Sequence, residues 1–272
     1  MPEANSRRRA MTSDQARQVR AQGHLDAKEF ARIIGVGDDY QNGATDKKDV
    51  VDQNGDTHSL KSGETRWQIF LYSVTRFKED VIYKVMGGVG DGVGNLILEC
   101  LNCFPDSFDE YLENKNKYKI LLKPKMISLC GKLQDKDVFA AFLVKSIFNC
   151  GEVNYLTIKN DEKFHVFLSN DVVECMVENV ERQMSKSRGR DQMHYQKVVL
   201  VHDDVNVGTI EIRHDSTSHY KQAVFALNKA DIFRMLTSKI TNKQEWGDKV
   251  VVYCKAINKF KKKHKEYLQS NQ

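Results

Sequence analysis

The spacing of apolar and polar residues changes several times along this chain, and each change predicts an element. In residues 23–34, Leu25, Glu29 and Ile33, with Phe30 and Ile34, fall at helical spacing, and Gly35, Gly37 and Gly43 then give a loop. In residues 48–63, two short runs of β-branched and apolar residues flank Asn54-Gly55. Both turn residues tolerate positive φ, so the stretch predicts a β-hairpin. Period-two alternation puts Ser59 and Lys61 on one face and Leu60 on the other, with Asp49 beside the end of the second strand. The spacing of Trp67, Phe70, Leu71, Val74 and Phe77 predicts a helix within 64–86, packed on the sheet. Glycines at 87, 88, 90, 92 and 94 give a flexible connection without the Lys-Ser/Thr ending of a phosphate-binding loop. A helix is expected over 95–103, and residues 105–149 are helical in pattern. Near Cys150-Gly151 the texture turns to strands: 153–158 and 164–168 flank a second hairpin turn at 160–163. A helix is expected from Asn170 or Asp171 to about Met184, strands over 195–202 and 208–216 around Asp203-Asp204, and a lysine-rich helix from Trp246 or Gly247 onwards.

This succession predicts an α/β protein. A central mixed β-sheet flanked by helices is expected in residues 23–150, with a β-rich region at 151–272 and a basic arm at 1–22. The 272 residues suffice for one large domain or two small ones, and no apolar run approaches the length of a membrane span. Arg7-Arg8-Arg9 is not followed by an apolar segment, so no secretory signal is expected. Most of the six cysteines lie in apolar sequence, such as Cys130, Cys150 and Cys175, which suggests reduced, buried thiols in a cytosolic compartment. Cys100 and Cys103 form a lone CxxC without the further ligands of a zinc site. The net charge of +5 is compatible with a polyanionic partner without requiring one.

The hairpin carries the candidate chemistry. A carboxylate with one or two further oxygen ligands can hold Mg²⁺, which activates water and neutralises charge on a phosphodiester. A neighbouring lysine can orient that water and stabilise developing negative charge. Taken alone, Asp49 and Lys61 read equally as an exposed turn with a surface ion pair. The run Lys48-Asp49-Val50, eight intervening residues, then Ser59-Leu60-Lys61, followed by Trp67-Gln68-Ile69, resembles the PD-(D/E)xK motif of type II restriction endonucleases. The resemblance implies a metal-binding Asp49, a catalytic Lys61, a metal contact from the Leu60 carbonyl, and a Gln68 turned towards the lysine or the water. Lys48 stands in place of proline and Ser59 in place of the second acid. Glu29 is nominated to replace that acid, with Asp26 one turn earlier as the alternative, although either reads equally as a solvated helix carboxylate.

Residues 185–191 form a polar, basic loop whose Lys186, Ser187, Arg188 and Arg190 suit phosphates or guanine edges. With Arg213, His214, Ser216, His219, Tyr220 and Lys221 at a strand end, they resemble the base-contacting half of restriction enzymes. The resemblance implies Mg²⁺, a short double-stranded DNA site, a homodimer without membrane association, and a bacterial cytoplasmic setting. It also implies a separate DNA methyltransferase as functional partner. Glu211-Ile212-Arg213 offers a second acid–base pair that ranks lower because it has no lysine. Two other readings stand beside this one: a structure-directed or repair nuclease, and a non-catalytic DNA-binding protein on a degenerate nuclease scaffold.

Overall fold

The computed structural model of the chain describes residues 13–36, 48–63, 65–88, 90, 92–186, 196–214 and 216–260. In chain order the elements are α1 (Ser13–Ile33), β1 (Val50–Val51), β2 (Thr57–Lys61), β3 (Arg66–Tyr72), α2 (Val74–Glu79), α3 (Val81–Val85), α4 (Val93–Asn102), α5 (Phe108–Glu113), α6 (Lys115–Lys132) and α7 (Lys136–Phe148). They continue with β4 (Tyr155–Asn160), β5 (Lys163–Leu168), α8 (Ser169–Asn179), β6 (Glu181–Met184), β7 (Lys197–His202), β8 (Val205–Arg213), β9 (Gln222–Asn228), α9 (Lys229–Lys239), β10 (Lys243–Trp246) and β11 (Val250–Tyr253). Residues 255–260 are again helical.

The protein is α/β, with one mixed sheet and one antiparallel sheet flanked by helices. The mixed sheet has the order β1-β2-β4-β5-β11-β10, and the antiparallel sheet β3-β9-β8-β7-β6. In the mixed sheet β2 runs parallel to β4 and β5 parallel to β11, while the other neighbours are antiparallel. Each sheet takes strands from both sides of residue 150, so the expected division into 23–150 and 151–272 does not coincide with a division between sheets.

Helix α1 covers one face of the mixed sheet. Ala27, Phe30 and Ala31 pack there with Val50, Leu60, Tyr155, Phe164, Val166, Val250 and Val252. The opposite face contributes Leu156, Ile158, Phe167, Val251 and Tyr253 to a larger core shared with the inner face of the antiparallel sheet and with α4 and α6–α9.

Four expected boundaries are corrected. Helix α1 starts at Ser13 rather than at residue 23, because 13–22 is rich in Ala, Gln and Arg and lengthening an existing helix avoids a new nucleation cost. The helix expected from Trp67 is strand β3. A β-bulge between Gln68 and Phe70 turns Trp67 and Phe70 to the same face, both buried, and so imitates helical spacing. The helix expected to reach Met184 stops at Asn179, where 181–184 pair with β7. The C-terminal helix is preceded by β10 and β11; Val250-Val251-Val252-Tyr253 is buried throughout, as a strand covered on both faces requires. Among the cysteines, Cys100, Cys130 and Cys175 are buried, whereas Cys150 is exposed in the left-handed region at φ 59°.

The glycine-rich connection between α3 and α4 is a close-packing device. A Cβ at Gly94 would lie 2.5 Å from the Tyr83 carbonyl oxygen. Gly→Ala inside a helix ordinarily stabilises by about 1 kcal/mol. Here Gly94→Ala is expected to destabilise by about 1–3 kcal/mol, because backbone must yield to the added methyl; urea unfolding would read the sign directly.

His165 on β5 gives the fold a pH dependence. Its ring sits edge-on to Phe233 at 4.6 Å between centroids, and Nδ1 lies 2.8 Å from the Tyr253 hydroxyl. Burial, followed by the Lys243 and Lys163 ammonium groups, pushes the imidazole down to about 4. Above the ordinary histidine value of about 6.5 it is neutral in both states and contributes no slope. Between that value and about 4 the unfolded chain binds a proton that the folded chain does not, so stability falls with pH and then levels off. The loss should reach at most about 3 kcal/mol. A His165→Gln variant, compared with wild type by denaturant titration at pH 7 and pH 4.5, should lack that component.

Candidate functional site

The β1–β2 hairpin forms as its residues dictate. Gly55 takes φ 77°, and Asp52 Oδ1 accepts from the Asn54 and Asp56 amides at 2.8 and 2.9 Å, closing the turn. Val50 opposes His58 and points to the α1 side, which leaves Asp49 to the other face. There Asp49 Oδ2 accepts from the Leu60 amide at 2.7 Å and from Ser59 Oγ at 3.3 Å. Ser59 and Lys61 align with Leu156 and Ile158 of β4, whose side chains belong to the larger core. Asp49, Ser59 and Lys61 therefore share one face at the edge of the mixed sheet. Ser59 is buried, Asp49 and Lys61 are half-buried, and Lys61 has no ion-pair partner among the described residues.

The carboxylates nominated on α1 lie on the other face. Lys159 of β4 holds Asp26 and Glu29, each at 2.8 Å, and Lys249 holds Glu29 at 2.7 Å. Lys159 and then Lys249 keep the Glu29 carboxyl below its ordinary value. Burial raises Asp26, but Lys159, Ser62 and Gln22 outweigh it and hold that carboxyl low as well. The geometry thus corrects the nomination: both groups belong to a network that fastens α1 to the sheet. No group of three or more His, Cys, Asp or Glu side chains able to hold a metal occurs among the described residues, and Cys100 and Cys103 are no exception. The oxygen donors beside Lys61 are Asp49, the Ser59 hydroxyl and the Leu60 carbonyl, a hard set of the kind Mg²⁺ takes together with water. Lys48, in the position before Asp49, reaches Glu152 at 3.9 Å.

The expected DNA-contacting residues are dispersed. Ser187, Arg188 and Arg190 lie outside the described residues, and Lys186 is exposed just after β6. Ser216 Oγ lies 3.4 Å from Ser218 Oγ, and His219 ends a short 3-10 turn. Tyr220 packs against Phe104, Phe108 and Tyr111 and donates to the Pro105 carbonyl at 2.9 Å, so it serves as a packing residue. Lys221 is held by Asp106 at 2.7 Å. Arg213 and His214, by contrast, line a groove of about 620 Å³ on the outer face of the antiparallel sheet, together with Arg66, Gln68, Lys119, Gln196, Lys197 and Glu211. Gln68 therefore belongs to this groove, opposite Ala226 of β9.

Lys119 stands in the lysine-rich stretch 115–132, which the sequence offers as either a solvated or a phosphate-facing surface, whereas sequence reasoning did not find Arg66, Gln196 or Lys197. The signal at Arg66 was the alternation of polar side chains along β3, which the bulge disguised. Glu211, the lower-ranked acid, sits between two cations: Arg66 Nη2 is 3.5 Å from Oε1, and Lys197 is bonded to Oε2.

Comparison with protein-family models, with curated proteins and with solved structures returned no match. No helix among the described residues is long and apolar enough to cross a membrane.

Proposed function

We propose that the protein is a Mg²⁺-dependent endonuclease of the type II restriction kind, hydrolysing phosphodiester bonds at a short double-stranded DNA sequence. The observation that carries this reading is the placement of Asp49, Ser59 and Lys61 on one face of a hairpin at a sheet edge, with the Asp49 carboxylate bonded across the strands. When bound, Mg²⁺ supplies an activated water and neutralises phosphate charge. Asp49 and the Leu60 carbonyl would hold the ion, and Ser59 orients the Asp49 carboxylate through its hydroxyl. Lys61 orients the attacking water and offsets charge developing on the phosphate. A homodimer is proposed because cutting both strands of a duplex at one site requires two such centres. A bacterial cytoplasm with a separate protecting methyltransferase is the setting this reading implies.

Incubation with long, mixed-sequence duplex DNA and Mg²⁺ tests the reading. Discrete fragments that vanish with EDTA support it. A smear supports a structure-directed or non-specific nuclease with the same centre. A second reading, a non-catalytic DNA-binding protein, is favoured by Ser59, an uncharged residue where the motif has an acid. DNA binding without any cutting would select it.

A further inference from the structure

The groove on the antiparallel sheet is a built surface. Its floor is β9, where Val224 and Ala226 are small enough to leave a trough between the long side chains of β3 and β8. Its walls bring four basic side chains together: Arg66 from β3, Lys197 from β7, Arg213 from β8 and Lys119 from α6. Among the described residues lining the groove Glu211 is the one acid, and it fixes two of the cations in place: Arg66, which also donates to Thr209 Oγ1, and Lys197. Gln196 sits at the rim with Nε2 donating to the Lys119 carbonyl at 3.1 Å, which sets the amide's orientation. Its Oε1 is buried and accepts no hydrogen bond among the described residues. Cations converging on a sheet face suit a ligand that carries several negative charges in a row. A nucleic-acid strand does so through its phosphates.

The groove also lies close to the proposed centre along the chain. Lys61 ends β2 and Arg66 begins β3, so five residue steps, at most about 18 Å, separate them. That span is shorter than one turn of a duplex, about 34 Å.

We propose that this groove seats the sugar–phosphate backbone of the duplex on which the Asp49–Lys61 centre acts, with Arg66, Lys119, Lys197 and Arg213 facing phosphates. What occupies the groove rests on the nuclease reading; that the groove binds nucleic acid can be tested without cleavage.

The test is the salt dependence of binding to a labelled 30-base-pair duplex in EDTA, followed by anisotropy from 50 to 200 mM salt. The comparison is among wild type, Lys119→Gln, Arg213→Gln, the double variant, and Lys163→Gln on the β4–β5 hairpin as control. Each lost phosphate contact lowers the slope of log affinity against log salt by about 0.9. The double variant should therefore lose close to two units of slope and about 10–100-fold in affinity at 100 mM salt, with Lys163→Gln unchanged. Thermal unfolding verifies that each variant is folded. Lys119→Glu, on the surface of α6 where only its carbonyl serves Gln196, provides the test should Arg213→Gln fail to fold. Wild-type slope and affinity in the double variant overturn the groove, as does a wild type that binds no duplex. Cleavage by wild type together with normal binding by the groove variants overturns the groove and leaves the nuclease standing. Groove-dependent binding by a protein that never cuts overturns the nuclease and leaves the groove.

Discussion

Lys61→Ala is expected to lower Mg²⁺-dependent cleavage of duplex DNA by about 10²–10³-fold or more while costing DNA binding at most the one phosphate contact. The estimate follows from the loss of one preorganised charge-stabilising group at a reacting phosphate. Lys61 is half-buried and has no ion-pair partner among the described residues, so its removal leaves no buried carboxylate stranded. The fold should tolerate the change, which makes a lost activity interpretable. Asp49 requires a gentler probe. Its Oδ2 satisfies the Leu60 amide, and Asp49→Ala would orphan that N–H at a cost of about 1–3 kcal/mol. Asp49→Asn keeps an acceptor and removes the charge, so an inactive, fully folded Asp49→Asn protein would assign the carboxylate to metal binding. Single-turnover cleavage with saturating protein is the measurement. Undiminished cutting by either variant would remove the hairpin from the chemistry.

The second large effect concerns stability. Lys145 on α7 is buried and lies 3.0 Å from Asp80, itself buried between α2 and α3. The ammonium also sits 5.7 Å from the centre of the Tyr83 ring and 3.3 Å from Asn149 Oδ1. Removing one member of such a pair leaves an uncompensated buried charge, which costs about 3–5 kcal/mol. Lys145→Met should fall near the lower end. Asp80 retains the Ile82 and Tyr83 amides and the Arg76 guanidinium at 3.5 Å. Adding Asp80→Asn should recover much of the loss, because the helix cap survives while the orphaned charge goes. Denaturant unfolding of the two single variants and the double variant measures the coupling. Additive losses would mean that the pair does not act as a unit.

Local chemistry made much of this protein legible. The hairpin around Asn54-Gly55, the second hairpin with Asp161 at positive φ and the turn at Asp203-Asp204 all form where residues tolerant of that conformation stand. The shared face of Asp49, Ser59 and Lys61 follows from period-two alternation once the hairpin is granted. Helical spacing succeeded over 105–149 because α5, α6 and α7 lie there, α6 burying a stripe of Tyr118, Leu122, Met126 and Leu129. It failed at Trp67 because a bulge in a strand yields the same i, i+3 repetition on one face.

What the sequence by itself determined, then, is the set of hairpins, most of the helices, and the face on which the candidate centre lies, because these depend on neighbours a few residues apart. Only the tertiary structure decided that Glu29 and Asp26 turn to Lys159 and Lys249, away from Asp49. Only it decided that Tyr220 packs inward and that Arg66, Lys119, Lys197 and Arg213 converge. These outcomes depend on which strands neighbour one another across a hundred or more residues. That choice is made by burying whole faces of two sheets and their helices together, and the spacing of any single segment does not encode it.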